Sequence, residues 1–137
     1  MTISDTAMAF FDACETGKGW DVCKNYCHEG AAFSCQADAL ADITTIEGYT
    51  GWTAGLLTPV PDGHYDLKSF STDLERNIVV AAAAFKGTQT GEGGPVPPTG
   101  NAVSADYAYV MEFEGDKIAR MNKIWNDGHS LRQLGWA

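Results

Sequence analysis

The sequence predicts an α+β fold in which a strongly bent, mostly antiparallel sheet wraps around N-terminal helices. Two observations predict it. Apolar residues recur at helical spacing early in the chain, as in Met8, Phe11 and Cys14, whereas from Tyr65 onward they alternate at strand spacing. Helical segments also come first and strands follow as a run, which is not the strand–helix alternation of a parallel doubly wound sheet. The length of 137 residues suits one domain spanning 1–137.

Each element has a local reason. Thr2, Ser4 or Asp5 can cap the first helix, and Gly17 and Gly19 end it. A short second helix covers Trp20 to Tyr26. Ala31 to Gln36 reads as a strand with Phe33 and Cys35 on one face. The third helix runs from about Gly48 to Leu57, with Tyr49, Trp52 and Leu56 in one stripe, and Pro59 and Pro61 stop it. Pro61-Asp62-Gly63 is a turn.

Strands follow. Tyr65, Leu67 and Phe70 mark one. Ile78 to Thr88 marks another, apolar on both faces over much of its length and therefore central. Gly91 to Gly100 is a loop without the Gly-Lys pattern that cradles phosphate. From Val103 to Glu114 the alternation is clear: Tyr107, Tyr109, Met111 and Phe113 share one face. Glu114-Gly115-Asp116 makes a hairpin turn. The last strand runs from Lys117 to about Asp127, and a short helix, Ser130 to Leu134, precedes Gly135.

Composition narrows the partners. Nine basic residues against 18 acidic ones give a net charge of −9, which repels a nucleic-acid backbone or an anionic membrane. The longest apolar stretch, Ile78 to Phe85, is far short of the ~20 residues a membrane-spanning helix needs. The start, Met-Thr-Ile-Ser-Asp, lacks the basic and apolar regions of a secretory signal, so the cytoplasm is the expected compartment. Cys14, Cys23, Cys27 and Cys35 lack a second paired cluster that would complete a zinc site, and read as small hydrophobes.

Two stretches carry a family resemblance. Gly87-Thr88-Gln89-Thr90-Gly91 through Pro97-Pro98-Thr99-Gly100 resembles the threonine-glycine loop of the SnoaL-like polyketide cyclases and its proline-threonine-glycine end. Asp127 followed by Leu131-Arg132-Gln133-Leu134-Gly135 resembles their terminal Asp and Gln-Leu-Gly. That family belongs to the nuclear transport factor 2-like superfamily, so the resemblance implies a cone-shaped barrel with a pocket. It also implies that Asp127 takes the place of the family's acid/base aspartate. Two positions depart from the family pattern. Lys123 stands where many members have a tryptophan, with Trp125 two residues before the Asp, and Tyr107 and Tyr109 occupy the region of a frequent histidine.

The residues suggest chemistry of the same kind. On an extended strand Asp127 and Trp125 point the same way, roughly 7 Å apart, and His129 joins them if the strand continues. The face bearing Tyr107 and Tyr109 lies on the hairpin partner, about 5 Å away. A carboxylate among aromatic rings is desolvated and can take up and return a proton beside a carbonyl. A phenol from Tyr107 or Tyr109 can then donate to the enolate.

Asp127 and Tyr107 are therefore the catalytic candidates, and Trp125, Tyr109, Trp52, Phe33 and His129 the candidates to bind substrate. The expected reaction is a lyase, isomerase or cyclase step on a small apolar carbonyl compound, with no metal and no organic cofactor. Plainer readings stand beside these: Asp127 as a cap, the tyrosines as core aromatics, Lys123 as a solvated rim lysine, and the whole chain as a non-catalytic ligand-binding or dimerisation module. Apolar residues on both faces of Ile78 to Phe85 suggest a homodimer through that strand.

Overall fold

The computed structural model describes residues 1–137. Helix α1 spans Ile3–Glu15, α2 Trp20–Cys23 and α3 Ile46–Leu56. The strands are β1 Cys27–Cys35, β2 His64–Asp73, β3 Ile78–Thr88, β4 Ala102–Glu114 and β5 Lys117–Trp125, and α4 spans Asp127–Leu134. The fold is α+β, with the helices on the concave side of one bent sheet.

Local chemistry accounts for the helix ends. Of the three candidate caps, Thr2 is the one used, and it forms a reciprocal capping box with Asp5. Thr45 caps α3 by accepting from the Gly48 N–H at 3.1 Å, so that helix starts two residues earlier than its apolar stripe suggests. Asn126 caps α4 by accepting from the His129 N–H at 3.2 Å. The last strand therefore stops at Trp125, before the predicted limit of Asp127, because the Asn126 side chain offers the backbone a helical start. At the other end of α4, Gly135 adopts φ 78°, a left-handed closing turn suited to glycine.

The sheet order is β1-β5-β4-β3-β2. Three pairs are antiparallel and β1 pairs parallel to β5. β1 and β2 are the edges, β1 meeting only an isolated bridge from Ala32 to Thr45 beyond β5, so the cone is curled but not closed. Register shifts at Cys27/Ala32, Leu67/Ser69 and Glu112/Phe113 are bulges of the kind that bend strands. β3 lies between β4 and β2, inside the sheet as its composition predicts.

The concave face of β4 carries Tyr107, Tyr109, Met111 and Phe113, all buried. Phe10 and Phe11 of α1 pack onto it, with the Phe11 ring edge-on to Tyr109 at 4.9 Å between centroids. Cys14, Cys23 and Cys27 are buried free thiols, and Cys35 is free and half-buried. No helix is long and apolar enough to cross a membrane.

Candidate active site

Strand pairing positions the site. In the β4–β5 register Tyr107 faces Trp125 and Tyr109 faces Lys123. These four side chains project onto the concave side, where α1 brings Glu15 and α3 brings Tyr49 and Trp52. Glu15, Tyr49, Trp52, Tyr107, Lys123 and Trp125 line an open pocket with a cavity volume of about 60 Å3, and Tyr109 lies beneath them. Phe85, Leu131, Leu134 and Trp136 complete a mainly apolar wall. The pocket is narrow, since the Trp52 and Trp125 rings meet edge-on at 5.7 Å.

Glu15 and Lys123 are the only charged residues of the lining. Both are buried, at 5% and 7% exposure. The Tyr107 hydroxyl donates to Glu15 Oε1, and the Tyr109 hydroxyl donates to Oε2 at 2.5 Å. Tyr109 is also joined to the Tyr49 hydroxyl at 2.9 Å. Two phenol donors thus fix one carboxylate in an apolar interior, the arrangement a buried acceptor requires. Burial, followed by the charge of Glu15 and other close groups, pushes the phenols of Tyr49, Tyr107 and Tyr109 above their ordinary range.

Lys123 is not the solvated rim lysine its sequence context suggests. Its ammonium lies 4.4 Å from the Trp125 ring centroid, 5.0 Å from Tyr49 and 5.2 Å from both Trp52 and Tyr107. It forms no salt bridge, the five pairs of the chain all lying elsewhere. Burial lowers its pKa, and Glu15 opposes that shift.

The structure brings some predicted site residues together and leaves others apart. Tyr107, Trp125 and Trp52 line the pocket. Tyr109 is fully buried beneath it and reaches Glu15. Phe33 stacks on Tyr49 at 4.5 Å and supports the wall from behind. Asp127 is half-buried at the first turn of α4 and is not part of the lining. Its Oδ2 accepts from the Ala39 N–H at 2.9 Å and its Oδ1 from the Gly128 N–H at 3.0 Å. His129 is exposed, because helical geometry replaces the extended path that would have aligned it with Trp125. The Tyr107 hydroxyl finds its partner in Glu15, not in Asp127.

Glu15 was missed by sequence reasoning. It ends a helix with the sequence Ala-Cys-Glu, and nothing local separates it from a surface acid. The one available signal was its place four residues after Phe11, on the core-facing side of α1.

The loop motif and the terminal motif have a shared structural role. Gln89 is fully buried, and its side-chain oxygen accepts from the Thr99 N–H at 2.7 Å. The Thr99 hydroxyl donates to the Leu134 carbonyl at 2.9 Å, and the Gln133 side chain accepts from the Ser104 N–H at 2.9 Å. A Cβ on Gly91 would meet the Thr58 carbonyl oxygen at 2.2 Å, so only glycine lets the loop pass. These contacts hold α4, with Leu131 and Leu134, against the pocket. No group of three or more His, Cys, Asp or Glu side chains is arranged to hold a metal ion.

A model of the SnoaL-like polyketide cyclase family matches residues 5–134. No curated protein matches the chain in sequence. Among solved structures, a candidate SnoaL-like polyketide cyclase from Jannaschia sp. CCS1 superposes with a TM-score of 0.79 at 18% identity, covering 98% of this chain and 92% of that one. IdmH, a candidate polyketide cyclase from Streptomyces antibioticus, gives 0.78 at 20% identity, with 98% and 99% covered. A protein of ketosteroid isomerase-like fold from Catenulispora acidiphila DSM 44928, crystallised with trimethylamine, gives 0.69 at 16% identity, with 96% and 93% covered. At these identities the likeness is one of fold.

Proposed function

The chain belongs to the SnoaL-like polyketide cyclase family, and from that premise we propose that it is an acid/base enzyme acting on a small apolar carbonyl compound in the pocket. The observation that carries the proposal is the buried Glu15 carboxylate, held by the Tyr107 and Tyr109 hydroxyls on the pocket wall.

The geometry suits abstraction of a proton next to a carbonyl. Glu15 takes the proton, and an apolar surround strengthens its interaction with the reacting group. Once protonated, Glu15 no longer needs the Tyr107 proton. That hydroxyl is then free to donate to the enolate oxygen, where it lowers the barrier. Tyr109 retains the other carboxyl oxygen and keeps the base oriented. Tyr107, one of the two phenols the sequence offered, is the proposed donor, with Glu15 in place of Asp127 as the base. Asp127 ties the start of α4 to the 38–40 turn and holds the mouth in shape.

Exchange of the protons α to the carbonyl of 1-tetralone in D2O, followed by proton NMR, tests this reading. Wild-type protein accelerates the exchange over buffer. Glu15→Gln loses that acceleration by at least ~100-fold, the usual scale of general-base catalysis, while its thermal unfolding stays cooperative. Wild-type protein that binds the ketone without accelerating exchange is a ligand-binding module instead.

A homodimer through the convex face fits the same fold. Val80 pairs with Val110, Ala82 with Ala108, and Ala108 with Ile124, which sets an apolar stripe on the side away from the helices. Ile124 is 59% exposed there, and a second copy would cover it.

A further inference from the structure

Lys123 is the group that the acid/base reading leaves unused. It is a primary amine, nine-tenths buried, on the lining of a pocket whose other charged group is a carboxylate. Its neighbours Trp125, Tyr49, Trp52 and Tyr107 present ring faces, which attract a cation but give it no hydrogen-bond acceptor. An ammonium there has three donors and no acceptor. A neutral amine has fewer donors to satisfy and a free lone pair, and it lies on the pocket wall. Burial favours the neutral form, in line with the lowered pKa of this group. A desolvated lysine amine beside a carbonyl substrate is a nucleophile.

We propose that Lys123 is an amine nucleophile that forms an iminium with the carbonyl carbon of a ketone or aldehyde held in the pocket that Trp52 and Trp125 wall. This rests on the proposed carbonyl substrate and adds a covalent route to it. The amine lone pair forms the C–N bond, and proton transfer gives a carbinolamine. One proton from solvent leaves with its hydroxyl as one water to give the cationic iminium, and the final hydrolysis releases that proton again. Glu15 removes the α proton, leaving a neutral enamine. Attack of the enamine carbon on a second carbonyl of the same molecule closes a C–C bond, breaks that C=O π bond and regenerates an iminium, while protonated Glu15 returns its proton to the resulting alkoxide oxygen to give a hydroxyl. One water then hydrolyses that iminium, restores the product carbonyl and frees the amine. The water lost in the first stage equals the water consumed in the last, and no oxidant or reductant takes part.

A 1,3-diketone, 1-phenylbutane-1,3-dione, is the probe, because a lysine amine converts it to a conjugated enaminone that does not hydrolyse readily. The intact protein is incubated with the diketone at pH 7.5, followed by near-ultraviolet absorption and by mass. The expected result is a single adduct, one diketone less one water, mapped to the peptide bearing Lys123. It forms at least tenfold faster than on the exposed Lys68 or Lys86. Lys123→Arg replaces the amine with a non-nucleophilic guanidinium and abolishes the adduct, and Lys68→Met leaves it unchanged. No adduct at Lys123, or one no faster than on the exposed lysines, overturns the proposal. Deuterium exchange of 1-tetralone that persists in Lys123→Arg and vanishes in Glu15→Gln would remove the iminium and leave the acid/base reading standing. Loss of exchange in both variants, with the adduct present in wild type, supports the covalent route.

Discussion

Glu15 and Tyr109 lie 94 residues apart in sequence, and a 2.5 Å hydrogen bond runs from the phenol to the carboxylate. The last residue of the first helix and the middle of the fourth strand thus share one buried polar network. The proposed proton abstraction and the stability of the fold share that network.

Glu15→Ala leaves two buried hydroxyls, those of Tyr107 and Tyr109, without their acceptor. An orphaned buried donor costs about 1–3 kcal/mol. The Tyr109 hydroxyl retains Tyr49 as a partner, so the expected loss is about 2 kcal/mol in urea unfolding. A Tyr107→Phe change made in the Glu15→Ala background recovers part of it. A loss below about 0.5 kcal/mol would mean that water replaces the carboxylate.

Asp127→Asn separates mouth from floor. Its two oxygens accept backbone N–H groups, and an amide oxygen can keep one of those bonds. Ketone exchange is expected to fall no more than about fivefold, against the ~100-fold or greater loss of Glu15→Gln. The reverse ranking would assign proton abstraction to Asp127.

Asn126→Ala removes the α4 cap and is expected to cost about 1 kcal/mol. Leu131 and Leu134 on α4 wall the pocket, so ligand affinity should fall with stability. Asn126→Asp, which keeps a capping oxygen, should restore both. Thermal melts and tryptophan fluorescence titrations read the two effects.

Alkaline pH has a predictable sign. The phenols of Tyr49, Tyr107 and Tyr109 are raised above their ordinary range, chiefly by burial, and that of Tyr65 is pushed up to about 12 by burial and then by its bond to Asp12. Folded pKa values above unfolded ones stabilise fully below the unfolded value of ~10, and that stability is lost as pH climbs past it toward the folded values. Lys123 acts oppositely, because its lowered folded pKa makes stability rise with pH up to ~10.4. Urea midpoints should therefore fall steeply above pH ~10. Folded protein should also show less phenolate absorption than unfolded protein at the same pH.

Val80→Asp tests the proposed dimer, since a charge in an apolar stripe must be buried unpaired on association. Light scattering should read a dimer for wild type and a monomer for the variant, with ketone exchange retained. A monomeric wild type removes the dimer.

Much of this protein was legible from residue order alone. Period-two alternation placed β4 to within a residue, because one face of that strand is buried and the other is not. Proline, glycine and capping residues marked most helix limits, since their effects act within a turn of chain. The α+β class followed from element order. The end of β5 was misread because a single Asn side chain redirects the backbone, which strand periodicity does not report.

The chemistry was decided by tertiary structure. Lys123 reads as a surface lysine until the register sets it opposite Tyr109 and among four rings. Glu15 reads as a helix-end acid until β4 brings two phenols to it. Burial and electrostatic environment are sums over groups distant in sequence, whereas propensity and capping are local. For that reason the chain by itself determined the scaffold, and only its folding selected which carboxylate and which amine face the pocket.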